Sequence, residues 1–245
     1  MPDRFVTISV DDGHVTDHRT AEMLHNYGLR ATFYVPTKNP ERPVMSPSQI
    51  RQLSDAFEIG AHTTNHVSLT GLPDSEAWEE ISGSKKWLED TTGKRAVSFC
   101  YPRGKFNSST PRLIEKAGFL GARTCFFNLH SFPSNPYLWG VSTHAYPHSK
   151  TIQLRHAVLE GNYEGMWNFI RIYKGATDWQ RHFLYALDQV ERNGGIAHLY
   201  LHSWEIDEMN QWERLRIIFG WISERKNITS VTNGKLFELW KGNHE

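Results

Sequence analysis

Asp11-Asp12-Gly13 closes an apolar run, and further along the chain His62 and His66 stand four apart in Glu58-Ile59-Gly60-Ala61-His62-Thr63-Thr64-Asn65-His66. Two adjacent carboxylates can divide two tasks, one binding a metal and the other taking a proton. An H-x-x-x-H pair can reach one cation, and a borderline divalent ion such as Zn²⁺ accepts this mixture of imidazole and carboxylate. A chain that holds Asp, His and His, and leaves a position open for water, has the parts of a metal-dependent hydrolase. Each motif alone is weak. Asp-Gly is an ordinary turn signal and Asp an ordinary helix cap, and an isolated H-x-x-x-H is often two solvated loop histidines. At the end of a buried strand, however, two neighbouring carboxylates repel unless a cation neutralises one of them. Thr63, Thr64 and Asn65 are placed to hold the two rings.

Two further segments carry candidates. In His198-Leu199-Tyr200-Leu201-His202-Ser203-Trp204, residues 198, 200 and 202 share one strand face and the leucines the other. His202 lies nearest the C-terminal end, and the ordinary pKa of histidine suits protonation of a leaving amine. Ser98-Phe99-Cys100-Tyr101-Pro102-Arg103-Gly104 contributes Arg103 at another strand end.

The elements that must position these residues follow from pattern and punctuation. Strands are predicted over 5–10, 29–35, 58–62, 97–101, 120–126 and 196–202. Helices are predicted over 17–26, from Ser46-Pro47 to about 56, from 74 or 75 to Gly93, 109–118, 178–193, 212–225 and 234–240. Residues 128–150, with three prolines, read as loop. Strand followed by helix, repeated, means parallel strands with crossover helices. Asp11, Asp12, His62, Arg103 and His202 all fall where strands finish, the edge on which α/β folds build active sites.

Bulk properties narrow the class. A chain of 245 residues with 39% hydrophobic content can bury a real core. Lys+Arg and Asp+Glu are both 27, a balance that argues against nucleic acid or an anionic membrane as the main partner. No apolar run approaches the roughly 20 residues of a membrane span. The N-terminus shows no secretory pattern, and two cysteines are too few for a disulfide framework, so a cytoplasmic location is expected. Thirteen histidines with nine tryptophans and nine tyrosines suit a metal site beside a cleft that stacks on flat ligand faces.

Taken together the motifs resemble the polysaccharide deacetylase family (the NodB-homology domain, carbohydrate esterase family 4). Ser9 to Gly13 resembles the family's T-F-D-D-G, and His62 to His66 its H-[ST]-x-x-H. Phe99 to Gly104 resembles its R-x-P-Y-G segment, and Leu201-His202 its closing L-x-H. The resemblance implies an α/β fold, a distorted (β/α)7-8 TIM-like barrel of NodB-homology type, in one catalytic domain over 1–245. It implies a divalent metal, Zn²⁺ ahead of Co, Ni, Fe or Mn, held by Asp12, His62 and His66, with Asp11 as base and His202 as acid. Two departures stand out. The family arginine that would pair with the base is Cys100 here, and the family tyrosine whose backbone N–H would serve the oxyanion is Arg103. The usual D-x-x-D-W-type motif is not evident, since Asp178-Trp179 reads as a helix start.

The activity so implied is hydrolysis of an N-acetyl amide on a sugar or glycan intermediate, with Tyr101, Trp139 and Trp204, and also Tyr137 and Trp167, as candidate stacking surfaces. A second reading is a small-molecule amidohydrolase acting on a cyclic amide or imide, with Arg103 pairing to a substrate carboxylate. A third, an inactive carbohydrate-binding homologue, is disfavoured by retention of all five polar site residues. The aromatic and proline content of 126–175 suggests a cleft wall or a contact between subunits of a homo-oligomer.

Overall fold

A computed structural model describes residues 3–242. The strands β1 (Arg4–Asp11), β2 (Thr32–Val35), β3 (Glu58–Ala61), β4 (Ser98–Cys100), β5 (Gly121–Arg123), β6 (Thr143–His144), β7 (Gly195–Leu201) and β8 (Thr229–Val231) form one sheet. Its order is β5-β4-β3-β2-β1-β7-β6, all pairs parallel, with β8 beside β1. The lower half of β1 pairs with β8 and the upper half, from Ser9, with β2. Parallel strands need long crossovers, which here carry α1 (Asp17–Asn26), α2 (Pro47–Ser54), α3 (Asp74–Thr92), α4 (Thr110–Lys116) and α7 (Trp179–Asn193). The fold is a distorted (β/α) barrel with its helices outside.

Local chemistry explains most of these elements. Ser46 and Gln49 form a reciprocal capping box at α2, with Pro47 in the first turn. Gly93 takes the left-handed conformation that ends α3 (φ 71°). On β1, Val6, Ile8 and Val10 are fully buried and alternate with Thr7, Ser9 and Asp11. Thr7 donates to Asn233 Oδ1 (2.8 Å) and Ser9 meets His198 Nε2 (2.9 Å). The barrel interior is therefore polar and hydrogen-bonded, and the apolar layer lies between sheet and helices. On α7 Phe183, Ala186, Leu187 and Val190 have no exposed surface. Truncating Phe183 to Ala would cost about 3–5 kcal/mol.

The structure departs from the sequence-based expectation over 128–150. Residues 136–142 run beside β5 rather than forming a simple loop. Trp139 N–H donates to Ala122 O (3.0 Å), Thr124 N–H to Trp139 O (2.7 Å), and Ser142 N–H to His198 O (3.0 Å). The segment enters β6, which pairs with β7, so it bridges the two edge strands and closes the barrel. Prolines spaced between short extended pieces hide such a strand from a periodicity reading. After it come α5 (Lys150–Leu159) and α6 (Tyr163–Arg171), which the sequence pattern did not mark. Three more helices complete the chain: α8 (Ser203–Glu208), α9 (Trp212–Glu224) and α10 (Asn233–Gly242). No helix among the described residues is long and apolar enough to cross a membrane.

Candidate metal centre and active site

The ends of β1, β3, β5 and β7 meet at one rim. Asp11, the last residue of β1, follows Thr7 and Ser9 on the interior face and is buried. Asp12 turns into the loop with φ 81°, unfavourable for a residue with a Cβ, and Gly13 follows at φ 61°. A Cβ on Gly13 would stand 2.7 Å from Val35 Cγ1, so both space and backbone angle require glycine. This tight turn sends neighbouring carboxylates to different partners.

The Asp12 side chain faces the two histidines. Its Oδ1 lies 3.1 Å from His66 Nε2 and 3.6 Å from His62 Nε2. That oxygen is buried and makes no hydrogen bond, so three potential ligand atoms converge on one point with the carboxylate oxygen unsatisfied. His62 Nδ1–H donates to the Cys100 carbonyl (2.8 Å). Because a carbonyl only accepts, Nε2 is left with its lone pair toward Asp12, the arrangement a metal-ligating histidine uses. Asp12 Oδ2 accepts from Trp204 Nε1–H (2.9 Å). Burial would raise the Asp12 carboxyl, but the adjacent imidazoles outweigh it and hold it far below its usual range.

The loop 62–66 owes its shape to left-handed residues at Thr63 (φ 65°) and His66 (φ 53°). Asn65 is tied to Glu80 on α3 by its N–H (2.9 Å) and its Nδ2 (2.6 Å), and Lys38 N–H bonds the Thr64 carbonyl (2.8 Å). The residues expected to hold the histidine rings thus hold the loop instead.

Asp11 has a partner that sequence reasoning missed. Arg123, at the end of β5 and fully buried, forms an ion pair with Asp11 Oδ2 across the barrel. Its guanidinium lies between the rings of Tyr200 (4.7 Å) and Tyr34 (5.4 Å). Nη1 contacts Cys125 Sγ (3.4 Å). Burial works against ionisation of Asp11, and Arg123, followed by His62 and His202, reverses this and keeps its pKa low. The remaining oxygen, Asp11 Oδ1, is buried and unpartnered, free to accept a proton. Cys100 directs its thiol at Asp11 Oδ2 (3.7 Å), and burial pushes that thiol's pKa well up. A signal for Arg123 was present: an arginine within the short apolar strand 120–126 cannot be buried unpaired.

His202 follows β7 and caps α8. Its Nδ1–H donates to Glu205 Oε2 (2.8 Å), and its Nε2 lies 3.9 Å from Asp12 Oδ2. The same Glu205 oxygen accepts from His144 Nε2–H (2.9 Å), and His144 Nδ1 meets His148 Nε2 (2.9 Å). Burial disfavours charge on His202, but Glu205 and then Asp12 raise it to about 9. Burial likewise raises Glu205, and the two imidazoles bring it down to about 2. His144 and His148 are pushed below the ordinary histidine value by burial, His148 to about 4. Neither histidine was foreseen from sequence.

The other expected site residues lie differently. Arg103 has a left-handed backbone (φ 58°), and its exposed guanidinium pairs with Glu41, away from Asp11. Tyr101 is fully buried among Phe99 and Phe106, with its hydroxyl on the Tyr137 carbonyl (3.1 Å). Trp139 is buried against Phe132 and Phe237. Neither offers a face to a ligand, because closing the barrel consumed both. Trp204 reaches the site through its N–H, but Arg42 covers its ring at 3.5 Å, so it positions Asp12 rather than stacking on a ligand. Tyr137 lines a cavity of about 660 Å³ with Phe119, Arg112 and Trp240 that shares no lining residue with the rim.

Two groups of potential ligands share His62: Asp12 with His62 and His66, and Asp11 with His62 and Cys100. The first fits a divalent cation better. Asp11 is already neutralised by Arg123, whose charge would repel a second cation, whereas Asp12 Oδ1 is buried and unsatisfied.

Comparison with known proteins agrees with this geometry. A profile described as polysaccharide deacetylase matches residues 1–122. YxkH of Bacillus subtilis is 27% identical over 120 residues, 48% of this chain and 43% of YxkH. The peptidoglycan-N-acetylglucosamine deacetylase of Bacillus cereus is 25% identical over 155 residues, 61% of this chain and 70% of that protein. The chain thus aligns to less than half the length of the first relative. A family 4 acetyl xylan esterase from Clostridium thermocellum, solved in complex with a cobalt ion, shares the fold with a TM-score of 0.61 at 17% identity, covering 96% of this chain and 91% of that one. Residues 1–122, which contain Asp11, Asp12, His62 and His66, thus match the polysaccharide deacetylase family, and the barrel fold is shared over nearly the whole chain.

Proposed function

We propose that the chain is a metal-dependent N-deacetylase that hydrolyses the acetamide of an N-acetylated sugar or glycan intermediate. One observation carries the reading: Asp12 Oδ1, buried and without a hydrogen bond, converges with His62 Nε2 and His66 Nε2 beside the free oxygen of Asp11 and the Glu205-held ring of His202. Asp12, His62 and His66 would hold the ion, with Zn²⁺ proposed. A divalent ion there supplies Lewis acidity toward the amide carbonyl and acidifies water.

The chain's own groups divide the remaining work. Asp11 Oδ1 takes the proton of the attacking water, while Arg123 keeps the carboxylate ionised and fixed. The Arg103 backbone N–H is the proposed donor to the developing oxyanion. As the C–N bond breaks, His202 Nε2 gives its proton to the departing amine, and acetate and free amine are released. Glu205 keeps His202 charged and oriented until that transfer.

The cyclic-amide reading leaned on a free Arg103 guanidinium, and that group is engaged by Glu41. A cytoplasmic location is part of the proposal and is supported by two unpaired cysteines, Cys100 and Cys125. The test is acetate release from N-acetylglucosamine oligomers by protein loaded with Zn²⁺ or Co²⁺. Acetate should appear, and His66→Ala should lose both metal and turnover. Full metal retention in Asp12→Ala and His66→Ala, or imide opening without acetate release, would overturn the reading.

A further inference from the structure

Helices α5 and α6 carry their apolar side chains outward. In α5 the inward positions are Gln153 and Ala157, whereas Ile152, Leu154, Val158 and Leu159 face solvent at 43, 37, 56 and 72% exposure. In α6, Phe169 faces inward, and Tyr163, Trp167 and Ile170 are exposed at 66, 59 and 54%. Among the described residues Val15 is the one other exposed large apolar side chain. An amphipathic helix on a monomer points its apolar stripe at the core; α6 does the reverse, and the exposed apolar side chains of α5 add to a surface that something else covers.

The patch is held rigidly. Asn162 Nδ2–H donates to Phe127 O and Asn168 Nδ2–H to Asn128 O, both at 2.8 Å. A pre-ordered surface loses little entropy when it docks.

We propose that this α5–α6 face is the docking surface for a second copy of the chain, in a two-fold dimer. Two observations favour that occupant. Together the seven side chains expose on the order of 800 Å², about one partner's share of a standard interface. Exposed charges of both signs also lie among them: Glu164 beside Tyr163, and Arg155 and Arg171 on the same two helices, while Glu160 is already held by His156 (3.2 Å). An isologous contact brings unlike residues of the same patch together and can set Glu164 against an arginine. An anionic lipid surface would repel Glu164 on this face. The face begins directly after His148, so the contact adjoins the chain of hydrogen bonds that ends on His202.

Sedimentation equilibrium on the full chain, up to about 100 µM, tests this independently of the catalytic reading. The wild type should run as a dimer. Leu159→Glu with Trp167→Glu should weaken association by roughly 100-fold or more, with unchanged far-ultraviolet circular dichroism. Val158→Ser with Trp167→Ser, a milder pair, should weaken it in the same direction if the charged variant fails to fold. A wild type that stays monomeric at the highest concentration overturns the proposal. So does a dimer of undiminished strength in the folded variants, or a monomer that binds vesicles of phosphatidylcholine and phosphatidylglycerol through this face.

Discussion

The two sides of the rim proposed to supply base and acid are built on one principle with opposite signs. Asp11 is held by a buried cation, Arg123, which keeps its pKa down, and His202 is held by a partly buried anion, Glu205, which brings it up to about 9. Both groups are therefore charged near neutral pH, the base able to accept a proton and the acid able to give one. They differ in how the partner arrives. Glu205 sits three residues from His202, one helical turn away, whereas Arg123 comes from a different strand 112 residues along the chain. A local partner can be tuned by one substitution, but a partner across the barrel depends on the whole sheet. The acid side should thus tolerate change with a shift in pH dependence, and the base side should lose stability as well as rate.

The largest expected effect comes from removing the base. Asp11→Asn should lower the turnover rate by roughly 10³-fold, within the range that general base assistance commonly contributes, while metal content measured by mass spectrometry stays near one ion per chain. Loss of metal as well would place Asp11 among the ligands and collapse the distinction between the two carboxylates.

Next is Arg123→Ala. One partner of a buried pair is removed, and the cost should be about 3–5 kcal/mol in urea unfolding. The Asp11 pKa is depressed in the folded state, so its contribution is present above the usual carboxylate value of 3.8 and is lost as pH falls through the lower folded value. The stability gap between wild type and variant should accordingly narrow in acid. Adding Cys100→Arg to this variant should restore part of both stability and rate. If the double variant is no better than Arg123→Ala, β4 cannot substitute for β5 as the source of the cation.

On the acid side, Glu205→Gln should move the His202 titration, followed by NMR in metal-free protein, from about 9 toward the ordinary ~6.5. The raised His202 pKa adds stability that is full below the unfolded value and disappears as pH rises through about 9. The lowered Glu205 pKa adds stability that is present above 4.5 and disappears as pH falls through about 2. Wild type should therefore exceed the variant most at weakly acid pH. An unmoved titration would mean that Asp12, rather than Glu205, dominates the acid.

The smallest expected effect is that of Trp204→Phe, which removes the N–H on Asp12 Oδ2 but leaves a ring under Arg42. Metal affinity measured by chelator competition should fall about 10- to 100-fold, with little change in turnover at saturating metal. A large turnover loss would instead assign Trp204 to the substrate.

Much of this was legible in the sequence because it is local. Hydrophobic runs, caps and glycine stops marked the strands and helices around β1 to β5 and β7, and the motif spacing placed Asp11, Asp12, His62, His66 and His202 at strand ends. The strand inside 128–150 was hidden by its prolines, and α5 was hidden because its apolar residues do not gather on one face. Tyr101, Trp139 and Trp204 could be named as aromatic, but not as buried or covered, since a flat side chain reads alike in a core and in a cleft. What the sequence by itself determined was which residue types stand at fixed spacings on the strand ends, the set on which the proposed chemistry rests. What only the tertiary structure decided was which charge answers which: Arg123 on Asp11, Glu205 shared by His202 and His144, and Arg103 turned out to Glu41. Pairing across a barrel depends on strand order, register and which way each strand's alternate residues face, and no spacing along the chain encodes those.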